Sequence, residues 1–274
     1  MSAIPLMNDF IAAAASDCGL QRELNEDSYG LDAELGLLLL ADGMGGLSQG
    51  DVASSEAIQR FTDSMQALTT EPQPSFWQKL CQYLQARKLT NTHRAQLEQQ
   101  AKQLIEDLLQ ATHNELVELN RQLLPSSNIM GTTLVGVWLW SKLPSYALIF
   151  HVGDSRAYRY RDGQLEQLTT DHSLYQQWLD GDQAEQRPAQ NILHQALGVV
   201  EELQADVSLH QLRDDDHLLL CSDGLTTMVE DHAIQQLMAQ LTAENLEQSC
   251  QDLIKLANAN GGLDNISVIL SCHQ

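Results

Sequence analysis

The chain has 274 residues, 43% of them hydrophobic, enough apolar material for one large domain spanning 1–274, and no linker divides it. Its 37 acidic against 15 basic side chains give a formal charge of −22, which repels nucleic acid and anionic membrane surfaces and argues against either as a partner. The five cysteines, Cys18, Cys81, Cys221, Cys250 and Cys272, are scattered without metal-site spacing, as suits a reduced compartment. The N-terminus has no basic leader, and no apolar window reaches the roughly 18 residues of a membrane span, so a cytoplasmic protein is expected.

In chain order, "FIAAAASDCG" reads as a strand entering a loop and "LGLLLLADG" as a buried strand. Residues 52–68 read as a helix. From Ala95 to Leu124 apolar residues recur at helical spacing, among them Leu97, Ala101, Leu104, Leu108, Leu116 and Leu119, before Pro125 ends the pattern; this is one long helix or two. Strand-like runs follow in "TTLVGVWLW", "SYALIFHVG" and "RAYRYRDGQLEQLT", the last with a hairpin turn at "RDGQ". "HLLLCSDG" is a further strand, His232 to Asn258 reads as helix, and "NISVIL" closes the chain as a strand. Strands adjacent in sequence, with helices in separate blocks, point to an α+β protein of largely antiparallel sheets covered by helices.

A pattern recurs at the strand ends. "LLLLADG", "LIFHVGDS" and "LLLCSDG" each run from apolar residues into an aspartate beside glycine, giving Asp42, Asp154 and Asp223. "GGLDNISVIL" runs in reverse and places Asp264 before a strand. Alternate antiparallel strands can gather these carboxylates at one edge of the core. They are then either separate turn formers or a set held by a multivalent cation, because bare charges so close repel strongly. All-oxygen ligands favour Mg²⁺ or Mn²⁺ over zinc. "GMGG" fits neither a nucleotide P-loop nor a dinucleotide fingerprint. H-E-x-x-H is missing from the sequence, and the acidic strand ends point to metal-activated water as the nucleophile.

"SDCGLQRELNEDS", "ADGMGG", "GDVAS", "MGTT", "HVGDSRAYRY", "LTTDHSL", "LLLCSDGLT" and "GGLDNISVIL" stand in the order found in bacterial metal-dependent serine/threonine protein phosphatases of the protein phosphatase 2C type. The chain resembles that family from about Ala12 to Leu270. The resemblance implies a four-layer α-β-β-α sandwich with a two-metal centre at one edge. Asp42 then resembles the carboxylate bridging both ions, with the Gly43 carbonyl as a further ligand. Glu26 and Asp27 resemble the acidic pair beside the second ion, and Asp223 and Asp264 the ligands of the first. Asp154 resembles the residue that holds a third, weaker ion together with Asp223. Arg22 resembles the arginine that binds substrate phosphate; read from "RELNED" alone it is equally a solvated loop residue.

The activity so implied is hydrolysis of phosphoserine and phosphothreonine by direct attack of a metal-bridging hydroxide, without a phospho-enzyme. The partners implied are phosphorylated proteins, opposite a serine/threonine kinase. The alternatives are a phosphatase-like signalling scaffold without catalysis and a phosphatase of small phosphate esters. Two departures stand out. Met44 and Leu47 occupy the glycine-rich turn where some relatives carry a histidine, and the segment 174–191, which corresponds to the flap, is atypical. Between Glu71 and Glu98 no acidic side chain occurs, while Lys79, Arg87, Lys88 and Arg94 lie among Phe76, Trp77 and Tyr83. This insert around 71–98 reads either as a helix balancing the acidic surface or, over 75–94, as a docking surface for an acidic partner.

Overall fold

The computed structural model describes residues 3–45, 49–70, 91–123, 129–140, 145–181 and 186–273. Two antiparallel sheets face each other. One has the order β1-β2-β12-β11-β8-β9, built from Ile4–Pro5, Phe10–Asp17, Ile266–His273, His217–Cys221, Arg156–Arg161 and Gln164–Gln167. The other has the order β10-β7-β6-β4-β3, from Asp206–Gln211, Tyr146–Val152, Leu134–Leu139, Leu37–Met44 and Asp27–Asp32, with the short β5 (Gly131–Thr132) pairing β4. Helices α1 (Gly50–Thr70) and α2 (Asn91–Leu123) cover the second sheet. Helices α5 (Asp231–Met238) and α6 (Leu246–Ala259) cover the first. This is the α-β-β-α sandwich.

The leucine run explains itself in this arrangement. Side chains alternate across a strand, so Leu38 and Leu40 enter the layer between the sheets with Ala14, Val135 and Ile149. Leu37 and Leu39 point the other way, onto Phe61, Ile105 and Leu109 of the covering helices. A strand buried on both faces is apolar throughout rather than alternating. β2 behaves likewise, with Phe10, Ala12 and Ala14 between the sheets and Ile11, Ala13 and Ala15 beneath α6.

Expected and observed elements differ in instructive places. The long periodic segment is a single helix, Asn91–Leu123. The helix expected from His232 to Asn258 is instead two, because Thr242 and Asn245 bond each other's backbone amides, Thr242 N to Asn245 Oδ1 at 2.7 Å and Asn245 N to Thr242 Oγ1 at 3.3 Å. That local pairing offers the backbone an alternative to continuing the helix and starts α6. Strands β3 and β10 carry no apolar run because they are the half-exposed edges of their sheet. In the expected flap, Leu174–Asp180 forms α3, begun by Ser173 accepting from Gln176 N at 3.1 Å. Of the expected insert, residues 71–90 lie outside the described residues, with them Phe76, Trp77, Lys79, Tyr83, Arg87 and Lys88; Arg94 falls in the first turns of α2. No described helix is long and apolar enough to cross a membrane.

Leu40 is fully buried, so Leu40→Ala is expected to lower the unfolding free energy by about 2–5 kcal/mol. Leu20→Ala, at an exposed position, should stay within about 0.5 kcal/mol of the parent. Denaturant unfolding of both variants checks the difference.

Candidate active site

The carboxylates singled out in the sequence converge where strand ends of both sheets meet. Antiparallel pairing sets Asp27, at the start of β3, directly opposite Asp42, near the end of β4. In the other sheet β11 ends at Cys221 and its neighbour β12 begins at Ile266. Asp223, just past one, and Asp264, just before the other, therefore share an edge. Asp154 sits on the turn joining β7 to β8. Arg22, Glu26, Asp42, Asp154, Asp223 and Asp264 line one cavity of about 450 Å³, with Gly43 in its wall. A second cavity of about 440 Å³ shares Asp154, Asp223 and Asp264 and extends to Tyr175 and Asn191 of the flap segment. Asp27 is buried behind these walls.

Close backbone approach makes the arrangement feasible. A Cβ on Gly43 would collide with the Gly50 and Glu26 carbonyl oxygens, and one on Gly224 with the Asn265 carbonyl oxygen. Only glycine lets β4 meet the start of α1, and the start of the short helix α4 (Asp223–Thr226) meet β12. Glu26 joins the first of these contacts. Its Oε1 accepts from Gly50 N at 3.0 Å, at the α1 N-terminus, while its carbonyl accepts from Gly43 N at 3.1 Å and Ser54 Oγ at 2.6 Å.

Several positioning residues have no apolar pattern to mark them. Asp42 N donates to Thr133 Oγ1 at 2.9 Å, and the Asp42 carbonyl accepts from Thr132 Oγ1 and from Thr133 N, each at 2.9 Å. Thr133 Oγ1 also meets Ser155 Oγ, beside Asp154, at 2.7 Å. Buried Asn265 donates to the Cys18 and Leu24 carbonyls at 2.9 and 2.8 Å and accepts from Glu26 N at 2.9 Å. It thereby stitches the Arg22–Glu26 loop to the start of β12. The signal was present in "MGTT" and "LDNIS", polar residues flanking a charge at a strand end, but nothing local says which backbone they bind. His194 lines the larger cavity as well.

Electrostatics set the site's character. Burial, reinforced by the charges of Asp27, Asp223, Asp154 and Asp264, holds Asp42 well above the usual carboxylate range. Burial raises Asp27 and Asp154 to about 7 each. Asp223 rises to about 6 through burial and the neighbouring Asp264, with a hydrogen bond to Asp42 offsetting part of the rise. Asp27 Oδ2 accepts from Ser222 Oγ at 2.8 Å, but its Oδ1 is buried without a hydrogen-bond partner. An orphaned carboxylate oxygen among mutually repelling acids, in a donor set made of oxygen alone, fits a hard divalent cation. Arg22, half-exposed, bonds Asp264 Oδ2 through Nη2 at 2.7 Å, so the guanidinium stands at the rim of the carboxylate group.

A two-sheet sandwich with acidic strand ends gathered at one edge, and an arginine at their rim, defines the class of metal-dependent phosphohydrolases. The family model for protein phosphatase 2C matches residues 20–259, and the chain belongs to that family. The serine/threonine phosphatase stp of Listeria monocytogenes (serotype 4b strain F2365) is 33% identical over 269 residues, covering 93% of this chain and 92% of that protein. The serine/threonine phosphatase PstP/Ppp of Mycobacterium tuberculosis superposes with a TM-score of 0.74 at 29% identity, covering 97% of this chain and 99% of the other. The catalytic domain of PstP in complex with two manganese ions gives a TM-score of 0.70 at 30% identity, over 96% and 97% of the two chains. The protein is a metal-dependent serine/threonine protein phosphatase with Mg²⁺ or Mn²⁺ as cofactor, acting on phosphoproteins.

The raised carboxylates give the metal-free protein a pH dependence of definite sign. Between the ordinary aspartate value of 3.8 and the folded values of about 6 to 7, the native state holds more protons than the unfolded chain, so stability falls as pH rises. The thermal midpoint of chelated protein is expected to drop from about pH 5 to about pH 8, and Asp42→Asn should shrink the drop. Calorimetric midpoints across that range check it, and an equal drop in the variant would remove Asp42 from its cause.

Proposed function

We propose that Asp42, with the Gly43 carbonyl, holds both of two ions, that Asp223 and Asp264 complete the first, and that Glu26 and Asp27 serve the second. Asp154, with Asp223, serves a third and weaker ion. The observation that carries this assignment is the unpaired Asp27 Oδ1 beside Asp42, in a group whose common ionisation burial and repulsion oppose. When bound, the ions supply an activated water as nucleophile and positive charge against the phosphoryl oxygens. The chain's residues fix the geometry. Thr132 and Thr133 clamp the Asp42 backbone, Asn265 holds the loop that carries Arg22, and Gly43 and Gly224 allow the strand ends to approach.

Arg22 is placed to take substrate phosphate. Its planar fork can donate two parallel hydrogen bonds to phosphoryl oxygens and stays charged at any working pH. Its contact with Asp264 keeps the guanidinium at the cavity mouth until substrate arrives. We read the chain as one phosphatase domain, cytoplasmic, acting on phosphoserine and phosphothreonine in proteins and reversing a serine/threonine kinase. Tyr175 of α3, with Gln190 and Asn191, forms one wall of the approach. Phosphate release from a phosphothreonine peptide tests the reading: release should require Mn²⁺ or Mg²⁺ and stop with chelator, and metal-independent release would overturn it.

Asp42→Asn and Asp223→Asn are each expected to lower turnover on the order of a hundredfold or more while the protein stays folded. Asp154→Asn should cost about tenfold or less once Mn²⁺ is saturating. Steady-state kinetics over a Mn²⁺ titration separates the two classes, and equal losses at every concentration would remove the distinction.

Arg22→Ala should raise KM about ten- to hundredfold and leave metal affinity unchanged, with Arg22→Lys recovering only part of the loss. Kinetics paired with metal calorimetry reads both quantities; weakened metal binding at constant KM would make Arg22 structural.

A further inference from the structure

Outside both cavities, behind the turn that carries Asp154, lies a second group of ligand-bearing side chains. His151 comes from β7, His172 from the segment ahead of α3, and Asp206 from the start of β10. Antiparallel pairing sets Asp206 opposite His151, and one ligand atom from each of the three residues lies within 4.8 Å of the other two. The two imidazole centroids are 4.4 Å apart, and His172 Nε2 is 3.5 Å from Asp206 Oδ2. Both histidines are buried, while the Asp206 side chain is 65% exposed. Two buried imidazoles and one carboxylate reaching solvent bring three potential ligand atoms together at one place.

The hydrogen bonding orients the His151 ring as a metal ligand is oriented. His151 Nε2 lies 2.8 Å from the Thr170 carbonyl oxygen, which can only accept, so the ring proton sits on Nε2 and Nδ1 keeps its lone pair. A metal-bound imidazole typically has its other nitrogen anchored in this way on a carbonyl. Burial favours the neutral form of both rings, taking His172 down to about 4, so no bound charge has to leave. Nitrogen ligands with one carboxylate suit Zn²⁺ and its borderline neighbours and disfavour Mg²⁺. We propose that His151, His172 and Asp206 form a second metal site for an ion of the Zn²⁺ class, and that its occupancy acts on the turn carrying Asp154.

The coupling follows from the His172 ring. Its Nδ1 accepts from Gly153 N at 3.3 Å, and its own backbone N–H donates to the Gly153 carbonyl at 2.9 Å. With Nδ1 as acceptor, the single proton of the neutral ring is on Nε2, the nitrogen facing Asp206. An ion on Nε2 needs that lone pair, so the proton must reside on Nδ1. There it meets the Gly153 N–H, donor against donor, and the bond opens. The turn Gly153–Asp154 then loses one of its two ties to His172. Inhibition is the expected sign, since Asp154 would leave the geometry set by β7 and β8; this coupling, unlike the binding itself, rests on the role proposed for Asp154.

The test uses the full chain saturated with Mn²⁺ and titrates Zn²⁺ by calorimetry. The parent should take up one further Zn²⁺ per chain, at least about tenfold more weakly in Asp206→Asn and in His151→Gln. Asp206 is exposed, so its variant should fold normally and keep parental turnover without Zn²⁺. Co²⁺ in place of Zn²⁺ should give visible bands from nitrogen-bound metal in the parent that His151→Gln lacks. Zn²⁺ should inhibit phosphopeptide turnover of the parent at concentrations that leave Asp206→Asn active. Equal Zn²⁺ uptake by parent and both variants, or no uptake, would overturn the site; lost uptake with unchanged inhibition would overturn the coupling. Failure of Mn²⁺-dependent turnover with variant-sensitive Zn²⁺ uptake intact would count against the residue roles at the active site and leave this site standing.

Discussion

Repulsion between Asp27, Asp42, Asp154, Asp223 and Asp264 is the constraint around which the rest of this structure is arranged. Carboxylates whose ionisation is opposed by burial and by one another would spread apart if the chain allowed it. The two sheets do not allow it. Each acid is carried at or near the end of a strand whose register is fixed by full-length pairing, as in β12 against β2 from Ile266↔Asp17 to His273↔Phe10. Apolar layers on both faces of the strands supply the free energy that holds the ends together. The metal-free site is thus a strained electrostatic arrangement with divalent cations as its natural relief, and folding and metal affinity are coupled through it.

The polar residues around the acids keep backbone positions rather than charges. Thr132, Thr133 and Asn265 bond main-chain atoms of the loops that carry Asp42 and Arg22, and Ser222 joins Asp27 to the Ser267 amide, donating at 2.8 Å and accepting at 3.0 Å. A ligand held by its backbone can change protonation or metal contact without losing place. With the ligand roles proposed above, this separation of duties lets the same carboxylates face one another when metal-free and share ions when loaded.

A formal charge of −22 and an anionic substrate stand in opposition at long range. Salt screens exposed charge within about 10 Å, whereas ions in the cavity act at contact distance and reverse the local sign. Arg22 at the mouth of the cavity extends that reversal outward. In the roles proposed above, the acidic surface disfavours indiscriminate anion binding and leaves phosphate recognition to the metals and Arg22 acting together.

The sequence by itself determined the strand interiors and the identity of the acids. "LLLLADG" and "LLLCSDG" announce a buried strand ending on a charge, since only a strand covered on both faces tolerates an unbroken apolar run and only a functional or turning position tolerates aspartate next to it. Ordered together with the other motifs, they also carried the family resemblance that the fold bears out. Edge strands β3 and β10 escaped notice because half-exposed positions tolerate polar residues, and the break between α5 and α6 escaped because it rests on a side-chain pairing, Thr242 with Asn245, that periodicity does not register. Tertiary structure alone decided which acids meet, that Asp27 keeps an unpaired oxygen, that Arg22 leans on Asp264, and that His151, His172 and Asp206 come together. These depend on pairing between segments far apart in the chain, such as β7 with β10 and β3 with β4, and pairing is fixed by packing of the whole sandwich, which no local stretch of residues encodes.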